Sequence, residues 1–213
     1  MPPYIRPAVE SRTFLDQNGE VIPYGHQWGI AGPAEEAYSR DAHPERFAPL
    51  HDVARALVEH LHNEFDVAVQ QGPEFAKDLA ISHLPVTDAY RLTPNASDAA
   101  TVVLVLTQYP GVLLKAGVLW EWAYPACGCD ACDEVWEPLA EQLEAAAFAI
   151  TDGRFRESVH FRDAAHSVAT SGYRLAGLSA GSTTLTVADR PDLTEAARRL
   201  AGLPDGWQPW PRR

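Results

Sequence analysis

Three cysteines stand within six residues of this chain, in the segment Cys127-Gly128-Cys129-Asp130-Ala131-Cys132. Cysteine thiolates are soft, anionic ligands that suit zinc, and structural zinc sites take four ligands in a tetrahedron. Cys129 and Cys132 form a Cys-x-x-Cys pair, and Cys127 adds a third sulfur. The segment therefore predicts a zinc site that contains Cys127, Cys129 and Cys132.

The fourth zinc ligand must come from outside these cysteines. His160 and His166 follow on the next predicted element after a helix, and Asp130 or Asp133 could act locally. We take His160 as the predicted fourth ligand. A full zinc site usually shows two paired Cys-x-x-Cys motifs, whereas this sequence shows one. The prediction therefore depends on the spacing of the cysteines.

Two other interpretations of the cysteine segment stay open. A strand, an aromatic residue, Cys-x-x-Cys and a helix follow one another as in thioredoxin-like proteins, and a helix N-terminus lowers a thiol pKa. Against this, the neighbouring Asp130, Asp133 and Glu134 oppose thiolate formation, and the later strands lack the helix that such a fold requires. Alternatively, the cysteines are reduced, partly buried side chains without a chemical role.

The rest of the sequence predicts no catalytic residue and no cofactor-binding residue. It contains no Gly-x-Gly-x-x-Gly motif and no phosphate-binding loop. Ser179–Ser182 lacks the Gly-x-Ser-x-Gly frame of a nucleophile elbow. Arg154, Arg156 and Arg162 share one face of a predicted strand with His160, which would suit an anion. A solvated face balanced by acidic neighbours is the interpretation we favour.

An aromatic loop precedes the first predicted helix. Tyr24, His26 and Trp28 combine polar and aromatic groups that could line a pocket. Exposed loops of this kind often carry binding residues. They also commonly cover the edge of a sheet, and the sequence leaves both interpretations open.

The predicted elements around the cysteines indicate an α+β fold with a mostly antiparallel sheet. The β-branched run Thr101–Thr107 predicts a buried strand, and the alternating residues Val112–Ala123 predict its hairpin partner, which ends just before the cysteines. Residues 45–69 and 134–151 carry apolar residues at helical spacing. We expect both amphipathic helices to pack on one face of the sheet.

Shorter elements complete the prediction of a single α+β domain over residues 1–213, with an irregular N-terminal arm at 1–32 and an extended C-terminal tail at 203–213. Asp16-Gln17-Asn18-Gly19 carries the Asn-Gly signal of a tight hairpin. The remaining predicted elements are a short helix at 33–39, strands at 86–92, 154–161, 172–178 and 183–188, and a helix at 191–201.

Charge and composition limit the partners that we expect. The 213 residues carry a formal net charge of -12, which repels phosphate backbones and anionic lipid surfaces, so neither nucleic acid nor a membrane is an expected partner. No apolar stretch reaches the about 18 residues of a spanning helix, and no secretory signal is recognisable. Three cysteines in one window cannot form a disulfide framework, which favours a reducing, cytoplasmic location.

Two segments carry a resemblance to a known family. Residues His43-Pro44-Glu45-Arg46-Phe47-Ala48-Pro49-Leu50-His51 and the cysteine block through Glu134 resemble an uncharacterised, domain-of-unknown-function family of actinobacteria. The resemblance covers most of the chain. It implies that the Cys-Gly-Cys-Asp-x-Cys block is a family feature, and it brings no activity, substrate or catalytic residue.

Together these observations predict a soluble, acidic, non-catalytic domain with an interaction or regulatory role and a structural zinc ion bound by cysteine. The alternative is a thiol redox protein or an enzyme that uses Cys129 and Cys132. The sequence indicates no particular substrate or partner.

Overall fold

The computed structural model describes residues 3–77, 79 and 84–213. Within these residues the chain has the predicted α+β fold, with helices α1 (Pro49–Glu64), α2 (Trp136–Thr151) and α3 (Asp192–Ala201). The first sheet contains β1 (Val67–Gln71), β2 (Val86–Pro94), β3 (Val102–Thr107), β4 (Val112–Ala116) and β5 (Trp120–Tyr124), paired in that order. The second contains β6 (Phe155–Phe161), β7 (Val168–Leu175) and β8 (Ser179–Thr186). All the pairings within these two sheets are antiparallel.

The main core lies between the first sheet and the helices α1 and α2. Every residue of β3 is buried, as its β-branched run predicts. Leu104 and Leu106 belong to the core that includes Leu57 of α1 and Leu143 of α2. Both predicted helices therefore pack on one face of this sheet. Val105 belongs to a smaller cluster on the opposite face.

The first long helix is shorter than the predicted span of 45–69. It begins at Pro49, after a short 3-10 turn at Pro44–Phe47, and ends at Glu64. Phe65 has extended backbone angles, and Val67–Gln71 pairs with β2 instead of continuing the helix. The helical spacing of Phe65 and Ala68 was misleading, because β-branched residues at positions 67 and 69 favour a strand.

The alternating run at 112–123 forms two strands instead of one. Gly117 has a φ of +64°, a left-handed conformation that L side chains rarely adopt, and the chain turns there between β4 and β5. The predicted common face is nevertheless present, since Ala116 pairs with Trp120 and Leu114 pairs with Trp122 across the turn. Directly opposed residues of an antiparallel pair lie on the same face.

The later elements match the prediction in kind and differ in their boundaries. Strand β6 and helix α3 lie within one residue of the predicted spans, whereas β7 and β8 begin at Val168 and Ser179 instead of 172 and 183. The connection between them is the turn around Gly177, with a φ of +81°, and Ser179–Ser182 belongs to β8 instead of forming the turn. Glycine tolerates this φ, so the turn forms at Gly177 and sets the end of β7 and the start of β8.

The buried carboxyl group of Glu157 joins the two sheets. Its Oε1 accepts hydrogen bonds from the backbone N–H groups of Leu119 (2.8 Å) and Trp120 (2.9 Å). Its Oε2 accepts from the backbone N–H of Val118 (3.0 Å) and from the indole of Trp207 (2.9 Å). Burial raises the pKa of Glu157, and these four donors partly offset that effect. One side chain of β6 thus holds the β4–β5 turn and the C-terminal tail.

Replacement of Glu157 by glutamine should destabilise the fold. The amide NH₂ group would face two N–H donors, so that buried donors would lose their acceptor at a cost of about 2–4 kcal/mol. Urea denaturation of the variant measures this loss in the free energy of unfolding. The matched control is Glu195→Gln on α3, whose exposed carboxylate bonds to Arg198 and whose loss should leave the unfolding midpoint nearly unchanged. Equal midpoints for the two variants would contradict this role of Glu157.

Candidate metal centre

The three cysteines lie in a turn that follows the last strand of the first sheet. Strand β5 ends at Tyr124, and a single 3-10 turn covers Asp130–Cys132 before α2 begins. The Sγ atom of Cys129 lies 3.2 Å from that of Cys127 and 3.5 Å from that of Cys132. All three cysteines are free; Cys127 and Cys132 are exposed and Cys129 is partly buried.

The spacing of the sulfur atoms fits one metal ion. All three Sγ atoms lie within 4.8 Å of one another. Zinc binds each thiolate at about 2.3 Å, so two ligands of a tetrahedral site lie about 3.8 Å apart. Only small side-chain movements would bring Cys127, Cys129 and Cys132 to that spacing. The structure thus confirms that these cysteines lie close enough to hold a metal ion, and it leaves the identity of the metal open.

The thiols of Cys129 and Cys132 have pKa values shifted in opposite directions. Burial raises the pKa of Cys129, but hydrogen bonds from the Cys127 thiol and from the backbone N–H groups of Cys132 and Ala131 outweigh it, so this pKa lies below its usual value. Burial and hydrogen bonding to the other two thiols raise the pKa of Cys132 to about 12. The pKa of Cys129 therefore lies below that of Cys132, and a Cys129 thiolate hinders ionisation of Cys132.

The buried guanidinium group of Arg46 holds the backbone of the cysteine turn. Only 3% of Arg46 is exposed. Its Nη2 donates to the carbonyl of Gly128 (2.8 Å), its Nε to that of Glu134 (3.2 Å) and its Nη1 to that of His43 (3.0 Å). The first two carbonyls lie on either side of Cys129 and Cys132 in the chain. Arg46 therefore fixes both ends of the turn to the segment that precedes α1.

Aromatic contacts complete the surroundings of this guanidinium group. It lies 4.4 Å from the ring centroid of Tyr24 and 4.3 Å from that of Phe47. The Tyr109 hydroxyl donates to the same Gly128 carbonyl at 3.1 Å. Gly128 has a φ of +85°, and a Cβ atom there would meet that hydroxyl group. Only glycine fits this position without strain.

The acidic residues of the turn are engaged by the backbone of other segments. Asp130 is buried and accepts from the N–H of Ala42 at 3.1 Å. Asp133 accepts from the N–H groups of Gly25 and Gln27, each at 2.8 Å. Their carboxylates serve as structural acceptors and are not in the group of ligand atoms around the sulfurs.

The aromatic loop at 23–29 packs against the cysteine turn. Besides three hydrogen bonds from Gly25 and Gln27 to Asp133, the indole of Trp28 donates to the carbonyl of Asp130 at 3.2 Å. Tyr24 and Trp28 line a surface cavity of 440 Å³ that also borders Asp130. His26 is exposed between the two bonded residues of this loop. The loop therefore both lines a cavity and covers the turn.

The structure does not bring His160 to the cysteines. His160 lies in β6 of the second sheet, where it is exposed and pairs with Thr170 of β7. His166 stacks on Phe161, with ring centroids 4.2 Å apart. Among the described residues, neither belongs to the group of ligand atoms around the sulfurs. The assignment of His160 as fourth ligand stays a prediction from the sequence.

The sequence does not predict the burial of Arg46 or the contacts of the 23–29 loop with Asp133. Arg46 precedes the apolar stripe of α1, where a charged side chain ordinarily faces solvent. Its acceptor Gly128 is 82 residues away, and the loop contacts to Asp133 span 106 to 108 residues. No local pattern encodes contacts at such separations. The glycine between two cysteines was the available hint that the backbone there is unusual.

The profile of one protein family matches residues 10–213, which is nearly the whole chain. The chain belongs to a family of unknown function, DUF6226. Membership of DUF6226 confirms the predicted resemblance to a domain-of-unknown-function family, while actinobacterial origin and the cysteine block as a family feature stay expectations. No curated protein matches the chain, and no solved structure does either. Among the described residues, no helix is long and apolar enough to cross a membrane.

Replacement of Arg46 by lysine should loosen the cysteine turn. An ammonium group cannot reach three carbonyls in the fixed geometry of a guanidinium fork, so we expect the free energy of unfolding to fall by about 2–4 kcal/mol. Chemical denaturation measures this loss. The control is Arg55→Lys, since Arg55 is exposed on α1 beside Asp52 and its change should stay within about 0.5 kcal/mol. A loss in the free energy of unfolding as small as that of the control would contradict a role of Arg46 in holding the cysteine turn. We refer to its three bonds to backbone carbonyls as the Arg46 clamp.

Proposed function

We propose that this chain is a non-catalytic domain with an interaction or regulatory role, whose cysteine turn binds one zinc ion. The observation that carries the proposal is the placement of the Cys127, Cys129 and Cys132 sulfurs within 4.8 Å of one another. A divalent cation with three thiolates is a common structural centre in proteins.

Electrostatics supports a bound cation. Three thiolates at this spacing repel one another, and the raised pKa of Cys132 reflects that repulsion in part. A bound Zn²⁺ deprotonates the thiols and converts their repulsion into attraction.

The hydrogen bonds to Cys129 also support a metal centre. The nearby backbone N–H groups of Ala131 and Cys132 lower the pKa of Cys129, and the Cys132 N–H donates to the Cys129 carbonyl at 3.2 Å. Such N–H donors orient a ligand and stabilise its thiolate, as outer-shell groups do in metal sites generally. The Arg46 clamp holds the backbone from which these donors project.

The residues around the three sulfurs favour a structural role for a bound metal. The nearby carboxylates of Asp130 and Asp133 are used to hold other segments, so neither is a free base beside the sulfurs. The turn contacts the 23–29 loop and the segment before α1. A metal there would strengthen a junction of three segments, which suits a domain that presents a fixed surface to a partner.

Thiol redox chemistry is the second candidate. The Cys129 and Cys132 sulfurs lie 3.5 Å apart, both near the surface, and the pKa of Cys129 is lowered. Oxidation of this pair would release two protons and pass two electrons to an external oxidant. This chemistry needs the pair to be metal-free, which makes metal content the deciding observation.

The partners and the location of the protein are part of the proposal. The net charge of -12 disfavours nucleic acid and anionic membranes as partners. Exposed reduced thiols persist in a reducing compartment, so we propose a cytoplasmic location.

Protein purified without added metal or chelator should contain about one zinc ion per chain, as one three-thiolate centre requires. Elemental analysis with native mass spectrometry measures the content. Cys129→Ser should remove the metal and lower the unfolding midpoint, because zinc binding and folding are linked. Ser171→Ala, away from the turn on β7, is the control and should retain full metal content.

Two outcomes would contradict the zinc proposal. Metal-free protein with three titratable thiols would reject it, and a Cys129–Cys132 disulfide that forms and breaks reversibly would then favour the redox candidate. Full zinc content in the Cys129→Ser variant would show that the metal lies elsewhere.

A further inference from the structure

Three cysteines supply three of the four ligands of a tetrahedral zinc site. The identity of the fourth ligand is a further inference, and it rests on the proposed zinc function. A closed structural site takes a fourth protein ligand, whereas a water ligand leaves the site open. Cys127 and Cys132 are exposed, so the free vertex of the site is near the surface. The side chains near that surface therefore decide which group completes the site.

Charge favours a neutral fourth ligand. Zn²⁺ and three thiolates carry a net charge of −1, and although Arg46 lies 3.9 Å from Asp130 and offsets that carboxylate, Asp133 and Glu134 add further negative charge around the turn. A fourth anion would increase the repulsion, whereas a neutral imidazole would not. All three carboxylates already accept hydrogen bonds from backbone N–H groups; that of Glu134 accepts from the N–H of Gly128 at 3.2 Å. Histidine with three cysteines is also an established structural ligand set.

Most histidines of the described chain are engaged elsewhere or lie on other elements. His43 bonds through both ring nitrogens, to Glu45 and to the Leu15 carbonyl, and His51 bonds to the Gly111 carbonyl. His60 packs against Tyr4 and Phe148. The others on separate elements are His62 at the end of α1, His160 in β6 and His166 beyond it. His83 lies outside the described residues.

His26 differs from these histidines in its position. Its two neighbours, Gly25 and Gln27, both donate their N–H groups to Asp133, which directly follows Cys132. The backbone on either side of His26 is thus fixed to the cysteine turn. The His26 side chain is exposed, and its ring makes no hydrogen bond or ring contact with any described residue. Like His160, His26 lies outside the group of ligand atoms that the three sulfurs form, so its ring must move to bind a metal there.

We propose that His26 is the fourth zinc ligand, so that the metal joins the 23–29 loop to the cysteine turn. The three thiolates come from one turn and the imidazole comes from a loop about 100 residues earlier in the sequence. Metal binding would then close a junction that Asp133 already aligns. The bound metal would then add a further link between the 23–29 loop and the cysteine turn.

Cobalt(II) binding to the full chain tests this assignment. The d–d absorption of Co²⁺ reports the ligand set, and competition with a chelator gives the zinc affinity. His26→Ala should shift the Co²⁺ spectrum and weaken zinc binding by at least about tenfold, the lower limit for the loss of an outer-shell partner. The substitution keeps the backbone bond from the His26 N–H to the Pro23 carbonyl, so the loop itself should persist. Added imidazole should restore the wild-type spectrum.

His160→Ala is the matched control, because it removes the histidine that the sequence predicts. It should leave the spectrum and the affinity unchanged. If the wild-type chain binds the metal and His26→Ala behaves like wild type, the assignment of His26 is overturned and the three-cysteine centre stands. If His160→Ala gives the loss instead, His160 is the ligand. If the wild-type chain binds no Co²⁺ or Zn²⁺, the proposed function fails and this inference fails with it.

Discussion

The buried guanidinium group of Arg46 is the interaction on which the cysteine turn depends. A buried cation is unfavourable unless its donors are satisfied, and this one finds carbonyls of Gly128, Glu134 and His43 and the faces of two aromatic rings. Because two of those carbonyls lie at either end of the turn, the side chain sets the path of the backbone between them. Cys129 and Cys132 lie on that fixed path and Cys127 directly precedes it; Cys127 and Cys132 are exposed and Cys129 is partly buried.

Distant segments meet at this turn through its acidic residues. Asp130 accepts from the segment before α1, and Asp133 accepts from the 23–29 loop. Carboxylates beside thiols oppose thiolate formation, and here the same carboxylates accept hydrogen bonds from backbone N–H groups of other segments. The arrangement combines a sulfur cluster with a junction of chain segments. A cation at the cluster would therefore stabilise more of the molecule than the six residues that contain the sulfurs.

Local patterns predicted those features that depend on neighbouring residues. The β-branched strand β3, the amphipathic helix α2 and the helix α3 lie within two residues of the spans that the sequence predicts. The predicted end of α1 was wrong, because residues 67–71 pair with β2. The single strand predicted over 112–123 was also wrong, because the chain turns at Gly117, which has a left-handed conformation. For the site, the cysteine spacing predicted the cluster. The burial of Arg46 and the contacts of the 23–29 loop with Asp133 were not predictable, since their partners are 80 or more residues away.

X-ray absorption at the zinc edge tests the three-thiolate centre most directly. The account predicts about three sulfur atoms at 2.3 Å and one nitrogen or oxygen atom at 2.0–2.1 Å per bound zinc ion. A first shell of oxygen and nitrogen atoms without sulfur would contradict it, because the metal would then lie outside the cysteine turn. Four sulfur atoms would also contradict it, since one chain has three cysteines and the fourth sulfur would have to come from a second molecule.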